Sequence, residues 1–245
     1  MSMNYFEQAD KQLVRAIQKE TGAVVDGDFG HQSLFNLFLE ICDFDEYSPV
    51  ATELYNGYLI MANKNQVHFE MPRNTKCVND FDYAVSGTFQ DEPKNKLVSI
   101  LADQGKFFRA TGSKAWRGKG EGTIYMTKSG EIKWERFQYM PTKDVEWAIS
   151  GVTVHDYHPV CEGFSGAFAD VLRSTTHVLF GITQDDKVVV FLKHCSMEAL
   201  KYISDNILKL KYSISLDGGH IPAIKSPKFS HNKFQRQNNL IWFGR

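Results

Sequence analysis

The run VVVFLKHCSMEALKYISDNILKLKYSISLDGG, residues 188–219, decides how this chain reads. Its opening, Lys187 to Leu192, is an apolar strand. Ser196 stands where a helix N-cap belongs, and Leu200, Ile203, Ile207 and Leu210 follow at spacings of three, four and three, on one helical face. A second strand, Tyr212 to Leu216, runs directly into Asp217-Gly218-Gly219-His220. Paired glycines after a buried strand let the backbone turn tightly and approach a ligand, which leaves the Asp217 carboxylate at the strand's end, where a site can form. Strand, helix and strand in succession predict an α+β domain, a mixed β-sheet with flanking helices.

The rest of the chain has the material for such a domain. Of its 245 residues 42% are apolar and 13% aromatic, enough for a core without cross-links. A net charge of -1 with interspersed signs gives no broad positive field, so no nucleic-acid partner is expected. Cys42, Cys77, Cys161 and Cys195 lie far apart with no Cys-x-x-Cys pair, and read as isolated thiols. The first residues lack a basic region followed by an apolar one, so no signal peptide is expected. No run of about 18 apolar residues occurs, so no membrane span is expected.

Two amphipathic helices are predicted near the start, over 7–21 and 33–41, on either side of Val25-Asp26-Gly27-Asp28-Phe29-Gly30. They define a small helical segment, 1–48, before a larger domain, 49–245. In the larger domain, Leu54 to Met61 and Gln66 to Phe69 read as a hairpin around Ala62-Asn63-Lys64-Asn65. Gly122 to Thr127 and Glu131 to Phe137 read as another, around Lys128-Ser129-Gly130. Further strands are read at Tyr83 to Ser86, Leu97 to Ala102, Lys106 to Ala110, Val145 to Ile149 and Leu240 to Phe243. The glycine-rich run from Arg117 to Gly122 opens no helix and reads as a flexible loop rather than a phosphate cradle. His155, His158, Cys161 and Glu162 gather without metal-ligand spacing, so neither a metal nor another cofactor is expected. Lys225, Lys228, Lys233 and Arg236 belong to a basic, solvated stretch.

At Leu216-Asp217-Gly218-Gly219 the chain resembles the phosphodiester glycosidases related to the uncovering enzyme of the mannose-6-phosphate pathway, whose strand-helix-strand segment ends in Leu-Asp-Gly-Gly-Gly-Ser. Ser86-Gly87-Thr88-Phe89 is similar to that family's Asn-Gly-Thr/Gly-Phe-Phe. Ala148-Ile149-Ser150-Gly151 is a further landmark in the same order, and the run from His177 to Gly181 is similar to its Arg-Thr-Ala-Ile-Gly. The resemblance spans roughly residues 50 to 245. Four positions depart from it: Ser86 stands for Asn, Gln90 for the second Phe, His177 for Arg and His220 for the third Gly. A second resemblance, over about residues 8 to 42, is to the helical peptidoglycan-binding module of bacterial and phage cell-wall enzymes, on the loop Val25 to Gly30.

The first resemblance implies cleavage of a sugar from a phosphodiester. That reaction passes through an oxocarbenium-like transition state and needs a carboxylate near the anomeric carbon and a holder for the departing phosphate. Asp217 takes the place of the carboxylate; an aspartate bonding its own turn is the alternative. His177 takes the place of the phosphate holder or proton shuttle, and a satisfied strand histidine is the alternative. Arg173 is placed to supply the guanidinium that the histidine removes, a surface role being the alternative. Ser86, Gly87, Thr88, Ser150, Gly151, Gly218, Gly219 and His220 would line the substrate. Together the resemblances imply a phage or prophage glycosidase made in the host cytoplasm and then carried in the virion or released to the envelope, acting on a cell-wall glycan or phosphorylated sugar. A non-catalytic wall- or virion-associated glycan binder is the rival, and an intracellular counter-defence protein that binds or cleaves a phosphorylated sugar nucleotide is a third reading. Oligomeric state is not legible.

Overall fold

Short apolar runs bounded by turns, buried nearly end to end in Gly57–Asn63, Glu121–Thr127, Val145–Thr153, Thr175–Ile182 and Lys187–Cys195, shape the described residues, which form antiparallel sheets. The computed structural model describes residues 48–91, 96–116, 119–157 and 173–244, all within the unit Tyr47–Arg245. The two helices and the wall-binding resemblance expected before residue 48 lie outside the described residues.

The expectation of a mixed sheet with flanking helices is corrected here. Every strand pairing among the described residues is antiparallel. The α-helix among them is Met197–Tyr202, widened by a π-turn over Ile203–Ile207. Elsewhere among the described residues strands pack on strands, the large sheet sharing its core with the smaller one.

The largest sheet has ten strands. Along it lie Val50–Leu54, Gly57–Asn63, Lys187–Cys195, Thr175–Ile182, Tyr212–Ser215, Val145–Thr153, Glu121–Thr127 and Ile132–Phe137, with Leu101–Asp103 and Lys106–Arg109 joined to the side of Val145–Thr153. A five-stranded sheet runs Ser230–His231, Ile224–Lys225, Ala84–Ser86, Leu240–Phe243, Val67–Glu70. One face of the large sheet, with Val178, Phe180, Ile182, Val188, Val190, Leu192, Ile214 and Leu216, shares a single core with Phe69, Val85, Ile224, Ile241 and Phe243 of the smaller sheet. Trp147, Phe180 and Phe69 meet at its centre, with ring centroids 5.9 to 6.1 Å apart and tilted or edge-on, the geometry aromatic quadrupoles favour.

The helix forms where its spacing predicts. Ser196 Oγ accepts the Ala199 N–H at 3.2 Å, and Leu200, Ile203 and Ile207 are buried. It ends at Lys209, which takes φ 48°, while the Leu210 N–H returns to Ser204 O at 2.9 Å. Leu210 therefore falls beyond the helix, where it occupies the space beside Gly181: a Cβ there would stand 2.4 Å from Leu210 Cδ1.

The first hairpin is also corrected. Val50–Leu54 pairs with Gly57–Asn63 through the two-residue turn Tyr55-Asn56, both in the left-handed region at φ 52° and 54°. Ala62 to Asn65 does not close a hairpin. Gly57–Asn63 pairs with Lys187–Cys195, and Val67–Glu70 leaves for the other sheet, where it pairs with Leu240–Phe243. The hairpin read around Lys128-Ser129-Gly130 forms as expected, Met126 pairing with Ile132.

Candidate functional site

The Asp217 turn is positioned by the strand before it. Tyr212–Ser215 lies between Thr175–Ile182 and Val145–Thr153. Beyond its end the Leu216 N–H donates to Val178 O at 2.8 Å and the Gly219 N–H to Thr176 O at 2.9 Å, so the turn runs along the start of the neighbouring strand. Gly218 is required by that approach, since a Cβ would stand 2.8 Å from Thr176 O. Gly219 takes φ 92°. Asp217 is half-buried and its Oδ1 accepts the Gly218 N–H at 3.0 Å, the local bond of an Asp-Gly turn. His220 is exposed.

His177 lies against this turn. Its Nδ1 is 3.8 Å from where a Gly218 Cβ would be, the residue is 2% exposed, and its Nε2 is buried with no hydrogen-bond partner. Burial holds its pKa below the ordinary histidine value and the nearby His194 adds to this, while backbone groups of Arg173 and Cys195 pull the other way. The ring is thus a neutral imidazole at neutral pH, not a substitute for a permanent guanidinium. Arg173 is exposed, with its backbone beside the His177 ring.

The remaining landmarks are joined to the turn by a chain of short contacts. A Cβ on Gly151 would lie 2.4 Å from Ser215 O, so this landmark abuts the strand that delivers Asp217. Thr88 Oγ1 donates to Ser150 O. Ser150 Oγ accepts the Ile100 N–H at 2.7 Å. Ser86 Oγ accepts the Ala223 N–H at 2.6 Å and donates to Ala223 O at 3.3 Å, tying down the segment that leaves the Asp217 turn. Ser86, Thr88 and Ser150 are all buried, and their hydroxyls hold the wall together. Gln90 Oε1, at another departure from the family pattern, is buried without a partner.

Two residues here were not singled out from sequence. Asn239 pins the Gly87-Thr88 wall: its Oδ1 accepts the Thr88 N–H at 2.7 Å and its Nδ2 donates to Thr88 O at 2.9 Å, in the space a side chain at Gly87 would need. Nothing in the polar stretch before Leu240 marks it. The other is Glu121, fully buried, whose Oε1 accepts from Ser99 Oγ at 2.5 Å and whose Oε2 accepts the Ser113 N–H at 3.3 Å. Burial pushes its carboxyl from the ordinary 4.5 up to about 7 against hydrogen bonds from Ser99, Ser150, Ser113 and Ile100. Its place at the end of a glycine-rich run disguised it, although it opens the strand Glu121–Thr127.

Of the four residues that gathered near His155, His158, Cys161 and Glu162 lie outside the described residues. His155 Nδ1 accepts the Ser213 N–H at 2.9 Å. A groove of about 570 Å³ lies elsewhere, lined by residues of three turns including Lys64, Asp103 and Lys128, and by none of the landmarks above.

An antiparallel fold of this kind is shared with known structures. The catalytic domain of zebrafish N-acetylglucosamine-1-phosphodiester α-N-acetylglucosaminidase, auto-inhibited by its pro-peptide, is similar with a TM-score of 0.60 at 13% identity, over 81% of this chain and 82% of that one. A hypothetical protein from Synechocystis is similar with a TM-score of 0.51 at 9% identity, over 81% of this chain and 62% of that one. A Burkholderia pseudomallei protein follows with a TM-score of 0.52 at 6% identity, over 77% and 74%. At these identities the likeness is one of fold. No protein-family model matches the sequence, and no curated protein sequence is significantly similar to it. No helix among the described residues is long and apolar enough to cross a membrane.

Proposed function

We propose that the protein is a glycosidase that hydrolyses a sugar-1-phosphodiester of the GlcNAc-1-phosphate type in a bacterial cell-envelope glycopolymer, as a phage or prophage product. The observation that carries this reading is spatial. Thr88, Ser150, Gly151, His177 and the Asp217-Gly218-Gly219 turn, scattered over 130 positions of sequence, form one connected cluster. The fold shared with a phosphodiester glycosidase supports it.

In the proposed reaction water adds to the anomeric carbon while the bond from that carbon to the phosphate oxygen breaks. The bonding pair leaves with the phosphate, which departs as a phosphomonoester, and the sugar is freed with a reducing end. Phosphate is a good leaving group, so the demand falls on stabilising positive charge at the anomeric carbon, which Asp217 supplies. His177, neutral and with its Nε2 uncommitted, accepts and relays the proton released by water. Gly218 and Gly219 let the sugar come close to backbone. The test is incubation with a GlcNAc-1-phosphodiester and measurement of free reducing sugar. Release by the native protein and its loss in Asp217→Ala are expected; no release, or unchanged release by the variant, overturns the reading.

A second reading, recognition of the same glycan without turnover, is favoured by one observation: His177, at the place of the family's arginine, is 2% exposed and held below the ordinary histidine pKa by burial, so it brings no permanent charge to a departing phosphate. Sedimentation with purified cell wall, before and after removal of its anionic polymers, read beside the sugar-release assay, separates the two.

A further inference from the structure

The groove of about 570 Å³ lies between three turns that the Asp217 cluster does not use. The 3-10 turn Lys64–Gln66, the Asp103-Gln104 turn and the tip from Thr127 to Gly130 form its sides, and Val67, Met126 and Trp147 contribute to its lining. Its size is that of small-molecule sites. The walls are braced: Lys64 Nζ donates to Gly130 O at 2.6 Å, and the Trp147 indole donates to Lys64 O at 3.1 Å.

Its polar groups carry both signs with no surplus of either. Lys128 and Glu146 line the groove, and neither forms an ion pair among the described residues. Asp103 stands 3.9 Å from His68 Nδ1, and the opposite nitrogen of that ring, Nε2, is buried without a partner. Burial pushes the Asp103 carboxyl up, the Phe69 N–H and His68 pull it back, and the charge of Glu146 adds to the rise. A permanent anion here would face two carboxylates, and a permanent cation would face Lys128. A neutral molecule rich in hydroxyls fits both, since each hydroxyl donates to a carboxylate and accepts from an ammonium or imidazole.

We propose that this groove is a second binding site, for a neutral sugar, separate from the Asp217 cluster. Asp103 and Glu146 accept sugar hydroxyls, and Lys128 donates to a ring or hydroxyl oxygen. The inference does not rest on the catalytic reading of Asp217.

Titration of isotope-labelled protein with N-acetylglucosamine and with chitotriose, followed by nitrogen-proton NMR, tests it. The Trp147 indole and the Ser129 and Gly130 amides are expected to move together. Glu146→Gln is expected to weaken binding about tenfold, as loss of a hydrogen bond to a charged group does; the exposed Lys128→Ala also weakens it, and Asp217→Ala leaves it unchanged. Inorganic phosphate and spermidine serve as charged probes. No movement with either sugar, movement confined to the Asp217 turn, or a stronger response to a charged probe would overturn the proposal.

Discussion

Asn239 and Glu121 show how single buried side chains hold distant segments together. Asn239 makes two bonds to the Thr88 backbone in a buried place, so Asn239→Ala leaves an amide N–H and a carbonyl without partners. A loss of about 3 kcal/mol is expected, measured by urea unfolding. Glu121 gives a pH signature. Its folded pKa, about 7, lies above its ordinary 4.5, so the folded state retains a proton that the unfolded chain has lost. Stability contributed by this group is full below about pH 4.5, falls as pH rises, and reaches its floor above about pH 7, a loss on the order of 3 kcal/mol. Glu121→Gln is expected to flatten that slope in thermal unfolding measured from pH 5 to pH 8; an unchanged slope would show that the carboxyl ionises normally. The turn at Asp217 was legible because two glycines announce it. Asn239 and Glu121 were not, because their importance lies in partners 151 and 22 positions away.

The helix is the element whose period the sequence displays most plainly, and it forms where Ser196 and Leu200 place it. Its end is less well suited to its conformation. Lys209 adopts the left-handed region at φ 48°, which costs any residue with a Cβ, and Gly is the usual occupant of such a position. Lys209→Gly is expected to raise stability by about 1 kcal/mol, read from the shift of the unfolding midpoint; a decrease would mean that the lysine side chain contributes more than its backbone strain costs. The opening hairpin was misread for a related reason. Tyr55-Asn56 forms a tight turn with both residues at positive φ, yet tyrosine is not a residue type that signals one. Ala62 to Asn65, richer in turn-forming residues, is instead the point where the chain crosses from one sheet to the other.

At the scale of the molecule, the strands were largely legible and their partners were not. The stretch from Lys187 to Leu216 does run strand, helix, strand, but its two strands do not pair: they point the same way, with Thr175–Ile182 between them and antiparallel to both. The expected α+β architecture came from extending that one helix to a whole domain. Which apolar face meets which is decided by contacts distant in sequence, such as Phe69 with Phe180, and period alone does not carry them. The contacts at the Asp217 turn are likewise a product of topology: the strand carrying Ser150 and Gly151 and the strand opening at Thr175 converge on the one that delivers it.

That convergence is useful only if it turns over a substrate. The most direct measurement is the release of reducing sugar from a GlcNAc-1-phosphodiester by the native protein and by Asp217→Ala. The expected result is release that falls at least a hundredfold in the variant, the scale of losing one charge-stabilising group. Equal release from both proteins, or none from the native one, would contradict an active centre at this turn.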